Sequence, residues 1–312
     1  MIRVTSNMFP DSLVNQLARL GQRQQQLQSE VASGQRVQFP EDDPPAVRRV
    51  LDLQAEASGV AQYQDNIARL KEQSTVAYDA MNALKNVSDR AGEIATQADG
   101  TKSQQDLSAY ATEVAQLIQQ AVQLMNGKYE GDYLFGGTLS NQPPFVLATD
   151  SNGNVTSVTY QGNTTVSQVE IAEGTTLAAL PVGANSTGNG PAGLITDSRT
   201  GADFFNHLIA LQNDLLAGNT TAIQSTDLTA LQADEQNIVG QIATTGALQS
   251  RMDAAQSIAE GRSASLDKLI SGQADADMAT VMVQLNQAQT AYQAALQSGA
   301  RLLNLSLLDY LQ

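Results

Sequence analysis

The sequence predicts a mainly α chain with a small β insertion: a long antiparallel helical rod formed from the N- and C-terminal halves, with a β-rich region in the middle. Three observations carry this. Heptad stripes run near both ends of the chain, at Leu13, Leu17, Leu20, Gln24, Leu27 and Val31 and again at Met278, Val281, Leu285, Ala288, Tyr292, Ala295, Gly299 and Leu302. Between them lies helical periodicity too long for an ordinary globular helix. From about Tyr129 to Gly201 the texture changes to Gly, Asn, Thr and Val, with the alternating run Val155 to Tyr160 placed after Asn152-Gly153, a strong hairpin turn signal.

The elements follow in order. Pro10 marks a break, after which the first stripe runs to Ser33 and Gly34, a helix stop. A loop spans Gln35 to Asp43. Glu41, Asp42 and Asp43 lie just before Pro44, where acids satisfy the helix dipole and free N–H groups and a proline is tolerated in the first turn. The helix that starts there continues through Val50, Leu53, Ala57, Val60, Ile67, Ala77, Met81, Leu84, Ser88, Ala91 and Ala95, about 50 residues or roughly 75 Å. Gly100 to Ser103 forms a turn, and a partner helix resumes over Leu107, Tyr110, Val114, Leu117, Ala121 and Leu124. Past the β-rich region, helical spacing returns at Phe204, Leu208, Leu211 and Leu215 and from Leu228 to Leu269. In the last helix, Arg301 is the only ionised side chain from Met278 to Leu308, and a second apolar line, Met282, Leu296, Leu303 and Tyr310, runs beside the first. Neutral amides and small residues can be buried without an ion's desolvation cost, so this helix suits being surrounded by copies of itself.

Composition narrows the function. The 312 residues carry a formal net charge of −15, which argues against nucleic acid or an acidic membrane as partner. No window is long and apolar enough to span a bilayer, and the N-terminus lacks the features of a Sec signal, which leaves the cytoplasm or a dedicated non-Sec export route. Cysteine is absent, so disulfides, thiol nucleophiles and Cys-type zinc sites are excluded together.

Catalytic chemistry has little to stand on. His207 is the only histidine, with no nucleophile pattern around it, and no phosphate-binding loop, nucleophile elbow or metalloprotease motif occurs. Asp275 and Asp277 precede the last helix and read as caps. Asp150-x-Asn152-x-Asn154 resembles the opening of a calcium loop, but Val155 stands where glycine is needed and Gln161 where a bidentate Glu belongs, so it reads as a turn. We therefore expect no enzyme activity, catalytic residue, cofactor or metal. The middle helices, Pro44 to Gly100 and Leu107 to Gly127, read as core. The terminal seams read as assembly surface through Leu13, Leu17, Leu20, Leu27, Val31, Met278, Val281, Leu285, Tyr292, Leu296, Leu302 and Leu303, with Asp42, Asp43 and Pro44 as cap and loop.

Several strings resemble the flagellin superfamily over roughly residues 1–140 and 204–312. Val31-Ala-Ser-Gly-Gln-Arg-Val37 followed by Glu41-Asp-Asp-Pro44 is similar to its Ser-Gly-x-Arg segment and Asp-Asp element, and Gly246 to Met252 to its Gly-Ala-x-x-x-Arg stretch. Asp275-Ala-Asp-Met278 resembles the acidic start of its last helix. Within the superfamily, Pro44-Pro45 and Gly131-Asp-Tyr-Leu-Phe-Gly-Gly137 with Pro143-Pro-Phe145 are similar to the hook-associated protein 3 type, the hook–filament junction proteins, more than to flagellin. The resemblance implies a structural subunit adapting hook to filament and supporting flagellin assembly, extracellular on the flagellum and exported unfolded by the flagellar type III system. It implies terminal coiled-coil segments, 1–40 and 274–312, that are disordered in the monomer and form the inner tube. A helical rod domain, 41–130 and 204–273, and a β-rich outer domain, 131–203, complete the expected layout. The implied partners are copies of itself in a ring, a hook-associated protein on the hook side, flagellin on the filament side and an export chaperone at the C-terminal helix. The alternatives are flagellin itself, a cytoplasmic helical signalling bundle, whose hairpin would lack the β interruption, and an exported adhesin or hydrolase carried on the insert.

Overall fold

The computed structural model describes the backbone of residues 8–178 and 180–310 and the side chains of residues 12–178 and 180–301. The chain divides into two compact units, one built from the chain up to Gly59 and from Arg262 onward, the other from Val60–Gly261.

The first unit holds α1 (Met8–Ser33), the start of α2 (Pro44–Gln97), the end of α6 (Leu228–Ala274) and α7 (Met278–Tyr310). Helix α1 includes Pro10 rather than starting after it. In the first helical turn the N–H that proline lacks has no intrahelical acceptor, so the residue is accommodated there. Gly34 adopts φ +72° and donates its N–H to the Glu30 carbonyl at 2.9 Å, which closes α1 in the left-handed conformation a glycine permits. At 54 residues, or about 80 Å, α2 matches the long helix read from the sequence.

In the second unit, α2 packs with α3 (Gln104–Met125), α4 (Phe204–Ala217) and the early part of α6. Ser103 and Asp106 form a reciprocal capping box at the start of α3. After Gly218 a single turn, α5 (Thr220–Ala222), leads into a π turn, Ile223–Asp227, and then α6. The β insertion consists of small separate sheets. β1 (Lys128–Tyr129) pairs with β2 (Asp132–Tyr133), and β3 (Phe145–Thr149) pairs antiparallel with β4 (Val155–Tyr160) across the Asp150–Asn154 turn. β5 (Val169–Ala172) pairs with β6 (Thr175–Leu177). β7 (Val182–Asn185) runs parallel to β8 (Gly193–Asp197), which pairs antiparallel with β9 (Ala202–Asp203).

The insertion is fastened to the helices by aromatic residues. Phe135 and Phe204 are fully buried, and Phe145 stacks within 5.1 Å of Tyr160 and 5.3 Å of Phe205. The Leu134-Phe135 pair of the Gly131–Gly137 string is buried, and the Asn126 amide accepts from the Phe145 N–H and donates to the Phe145 carbonyl. A smaller cluster joins Ile67 and Leu70 of α2 to Ile171 and Leu177 of the β5–β6 hairpin and Met252 of α6.

Candidate assembly interface

The two terminal seams meet inside one chain, with α1 and α7 packed antiparallel. Leu27 is 1% exposed and lies against Val281, 7% exposed, and Ala288, with Val31 and Leu285 packed at the edge. Further along, a side chain at Gly299 would put its Cβ 2.7 Å from Leu13 Cδ2, so the absence of one lets the helices approach. The Gly21 position lies in ordinary contact with the Tyr292 ring, and Arg23 donates to Gln284 Oε1 at 3.1 Å. Leu17 and Leu20 are half-buried on the same side of α1.

Two of the expected assembly residues are exposed rather than packed against α1. Met278 is 41% exposed and Leu296 46% exposed, in line with Met282 at 49% and the neighbouring Val283. Of the first stripe, Val281, Leu285, Ala288, Tyr292 and Gly299 thus face α1, whereas Met278 lies open together with Met282 and Leu296 of the second line. The side chains of Leu302, Leu303 and Tyr310 lie outside the described residues.

A crossover of backbone and side-chain bonds ties the segment after α1 to the turn before α7. Ala276 N–H donates to the Gly34 carbonyl and Arg36 N–H to the Ala274 carbonyl, at 2.9 and 2.8 Å, making an antiparallel bridge of Gln35 with Asp275. The Arg36 guanidinium reaches the Gln273 carbonyl and Asp43 Oδ2, both at 2.9 Å. Asp43 caps α2 by accepting from the Ala46 N–H at 3.2 Å, with Pro44 at the first helical position. The Arg36 hydrogen bond and then the Ala46 N–H hold the Asp43 carboxyl below the usual carboxylate range. Asp42 Oδ2 accepts from the N–H groups of Gln38 and Phe39, which curls the loop back over α1. Between them lies a hollow of about 260 Å³ lined by Gln22, Gln25, Ser29, Gln38 and Phe39. Asp277 caps α7 through the Ala279 N–H at 3.1 Å and the Thr280 hydroxyl at 2.8 Å. Sequence reasoning found the caps, but not the Arg36 bonds to residues more than 230 positions away.

Elsewhere the ionisable groups are structural. His207 Nδ1 lies 2.7 Å from Oδ2 of Asp234, whose Oδ1 accepts from the Asp203 N–H at 2.8 Å. This pair, with Asn237 donating to the Gly193 and Leu194 carbonyls, binds the base of the insertion to α6. Hydrogen bonding to Asp234 raises the His207 pKa, while burial raises that of Asp234. Asp150 accepts from the N–H groups of Asn152 and Asn154, the geometry of a turn. Among the described residues no three histidine or acidic side chains group as metal ligands would, and no helix is long and apolar enough to cross a membrane.

The chain thus combines paired terminal helices, a long helical unit and a β insertion between its halves. Residues 4–140 match the family model of the bacterial flagellin N-terminal helical region. The fold of the chain is shared with solved hook-associated proteins. A putative flagellar hook-associated protein from Vibrio parahaemolyticus is 23% identical over 75% of this chain and 100% of that one, with a TM-score of 0.61. FlgL from Bacillus cereus is 20% identical, covering 70% and 99%, with a TM-score of 0.55. The flagellar hook associated protein-3 from Legionella pneumophila is 15% identical, covering 70% and 98%, also at 0.55. No curated protein sequence matches the chain.

Proposed function

We propose that this chain is a structural, non-enzymatic subunit of the bacterial flagellum at the junction of hook and filament. The observation that carries the reading is the open apolar line Met278, Met282 and Leu296 on a terminal helix pair, in a fold shared over nearly the full length of solved hook-associated proteins. Large apolar side chains aligned on one helix face call for a partner surface, and copies of the same helix pair offer one of matching length and neutral chemistry.

In this reading the segments 1–40 and 274–312 become fully ordered only in the assembled ring, where neighbours cover the second line and form the inner tube. Residues 41–130 with 204–273 make the rod domain, and 131–203 the outer domain. The residues expected at the assembly surface are those of the terminal seams, with Asp42, Asp43 and Pro44 shaping the loop. A hook-associated protein lies on the hook side and flagellin on the filament side. The subunit travels by the flagellar type III route, accompanied by a chaperone on the C-terminal helix.

The test is to delete the gene in its host, image the cells by electron microscopy and assay the medium for flagellin. Hooks without filaments, with monomeric flagellin in the medium, are expected. Normal filaments would overturn the junction reading.

A further inference from the structure

The turn between α4 and α6 rests on a pair of acids with no donor between them. Asp227 closes the π turn, is 4% exposed, and has a buried Oδ2 without a hydrogen-bond partner. The group within hydrogen-bonding reach is the carboxylate of Asp214, on the facing side of α4. Two ionised carboxylates only repel, whereas one proton converts the contact into an O–H···O⁻ bond.

The surroundings offer no other remedy. Asp214 accepts from Asn219 Nδ2 at 3.2 Å, a neutral donor. His207 on α4 is the cation that acts on Asp227, but its Nδ1 is committed to Asp234, with Asp203 beside it. The end of α2 presents only backbone: Gln224 of the π turn donates to the carbonyls of Ala95, Thr96 and Ala98, the first at 2.8 Å. No lysine or arginine among the described residues pairs with either acid. A π turn is a strained insertion in a helix and persists where its surroundings fix it. Here Gln224 holds it on one side and the acid pair on the other.

We propose that a proton shared by Asp214 and Asp227 clasps the π turn onto α4, so that this end of the helical unit is held more tightly in mild acid than at neutral pH. Burial and then the Asp214 charge push the Asp227 pKa up to about 6, from 3.8 in the unfolded chain. With the folded value the higher one, the stabilisation is complete below the unfolded value and is lost as pH rises through the folded one. Linkage between these values raises the opening equilibrium about tenfold from pH 5 to pH 8. The device is independent of the junction reading, because it belongs to the folded helical unit itself.

The experiment is hydrogen exchange with mass spectrometry on the full chain at pH 5 and pH 8, corrected for intrinsic exchange, with peptides across 214–228 and 95–103. Protection there should fall about tenfold in the wild type and become independent of pH in Asp227→Asn, whose amide supplies the missing donor permanently. Asp214→Asn is the second variant, used in the same way if the first does not fold. The titration of His207 remains in both and reports through peptides 202–210. Equal protection of the wild type at the two pH values, or an undiminished pH dependence in the Asn variants, would overturn the clasp.

Discussion

Replacing Leu27 by alanine separates two ways in which the terminal helices could be held. Leu27 is the most buried side chain of the α1–α7 pair and fills the space between Val281 and Ala288. Large-to-small changes at such sites cost about 2 to 5 kcal/mol, and an antiparallel pair open to solvent on its other faces collapses partly, so the lower half of that range applies. Against this stands the backbone entropy of the 26 residues of α1 and 33 of α7 that must be ordered, and most of a helix's stability comes from packing its apolar face rather than from the helix itself. A loss of about 3 kcal/mol is then decisive wherever the pair is formed. In the free monomer, where the pair is proposed to form only in part, far-UV circular dichroism should change little. In the cell, incorporation should fall by about 100-fold, read as the fraction of hooks carrying filaments. Wild-type incorporation would refute the packing argument. A loss of some 50 helical residues from the free monomer would instead refute the coupling of order to assembly.

The other expected outcomes concern single interactions. Leu296→Asp alters an exposed position and should shift monomer stability by less than about 0.5 kcal/mol yet block incorporation, as should the inward Leu285→Asp; normal filaments from either would remove the terminal helix from the assembly surface. His207→Ala leaves the buried Asp234 without its partner and should destabilise the second unit by about 2 to 4 kcal/mol, seen as a lower thermal midpoint. Because His207 is the only histidine, one imidazole NMR resonance should titrate above 6.5 in the wild type and lower in Asp234→Asn; the pair's contribution, present below the ordinary histidine pKa, is lost as pH rises through the raised value. Arg36→Ala removes the bonds to Gln273 and Asp43, which are largely exposed, and should leave overall stability little changed while increasing proteolysis within 34–43. Unchanged proteolysis would show that the backbone bridge holds the crossover alone.

Local rules made much of the fold legible. Asp43-Pro44 fixed the start of α2, Ser33-Gly34 the end of α1 and Asn152-Gly153 the β3–β4 turn, because each depends on residues within a few positions. The heptad stripes predict two seam helices, but their period alone cannot say which residues each helix spends on the other and which stay exposed, as Met278 and Leu296 do. Arg36 to Gln273 and His207 to Asp234 join residues with no sequence rule between them. The parallel pairing of β7 with β8 was hidden for the same reason, since its strands are short and the turn residues between them are compatible with several registers. The π turn leaves no trace in the apolar spacing, because it is held by Gln224 reaching α2 and by Asp227 meeting Asp214.

The distribution of charge favours the first unit as the proposed assembly surface. Nine of the 17 basic residues but only 11 of the 32 acidic ones lie in 1–59 and 262–312, so the first unit is nearly neutral and almost all of the −15 resides on 60–261. Surfaces that share a strong negative charge repel within a Debye length of about 8 Å at physiological salt, so copies of this chain cannot easily pack through the second unit. The first unit buries few large side chains among its described residues, Leu27, Leu266 and Val281, while exposing Val14, Phe39, Leu51, Leu269, Met278, Met282, Val283 and Leu296. A unit whose described residues expose more large apolar side chains than they bury stands to gain stability from neighbours, in keeping with the proposed assembly. The same composition that makes it a poor independent domain therefore makes it the part through which identical subunits can meet.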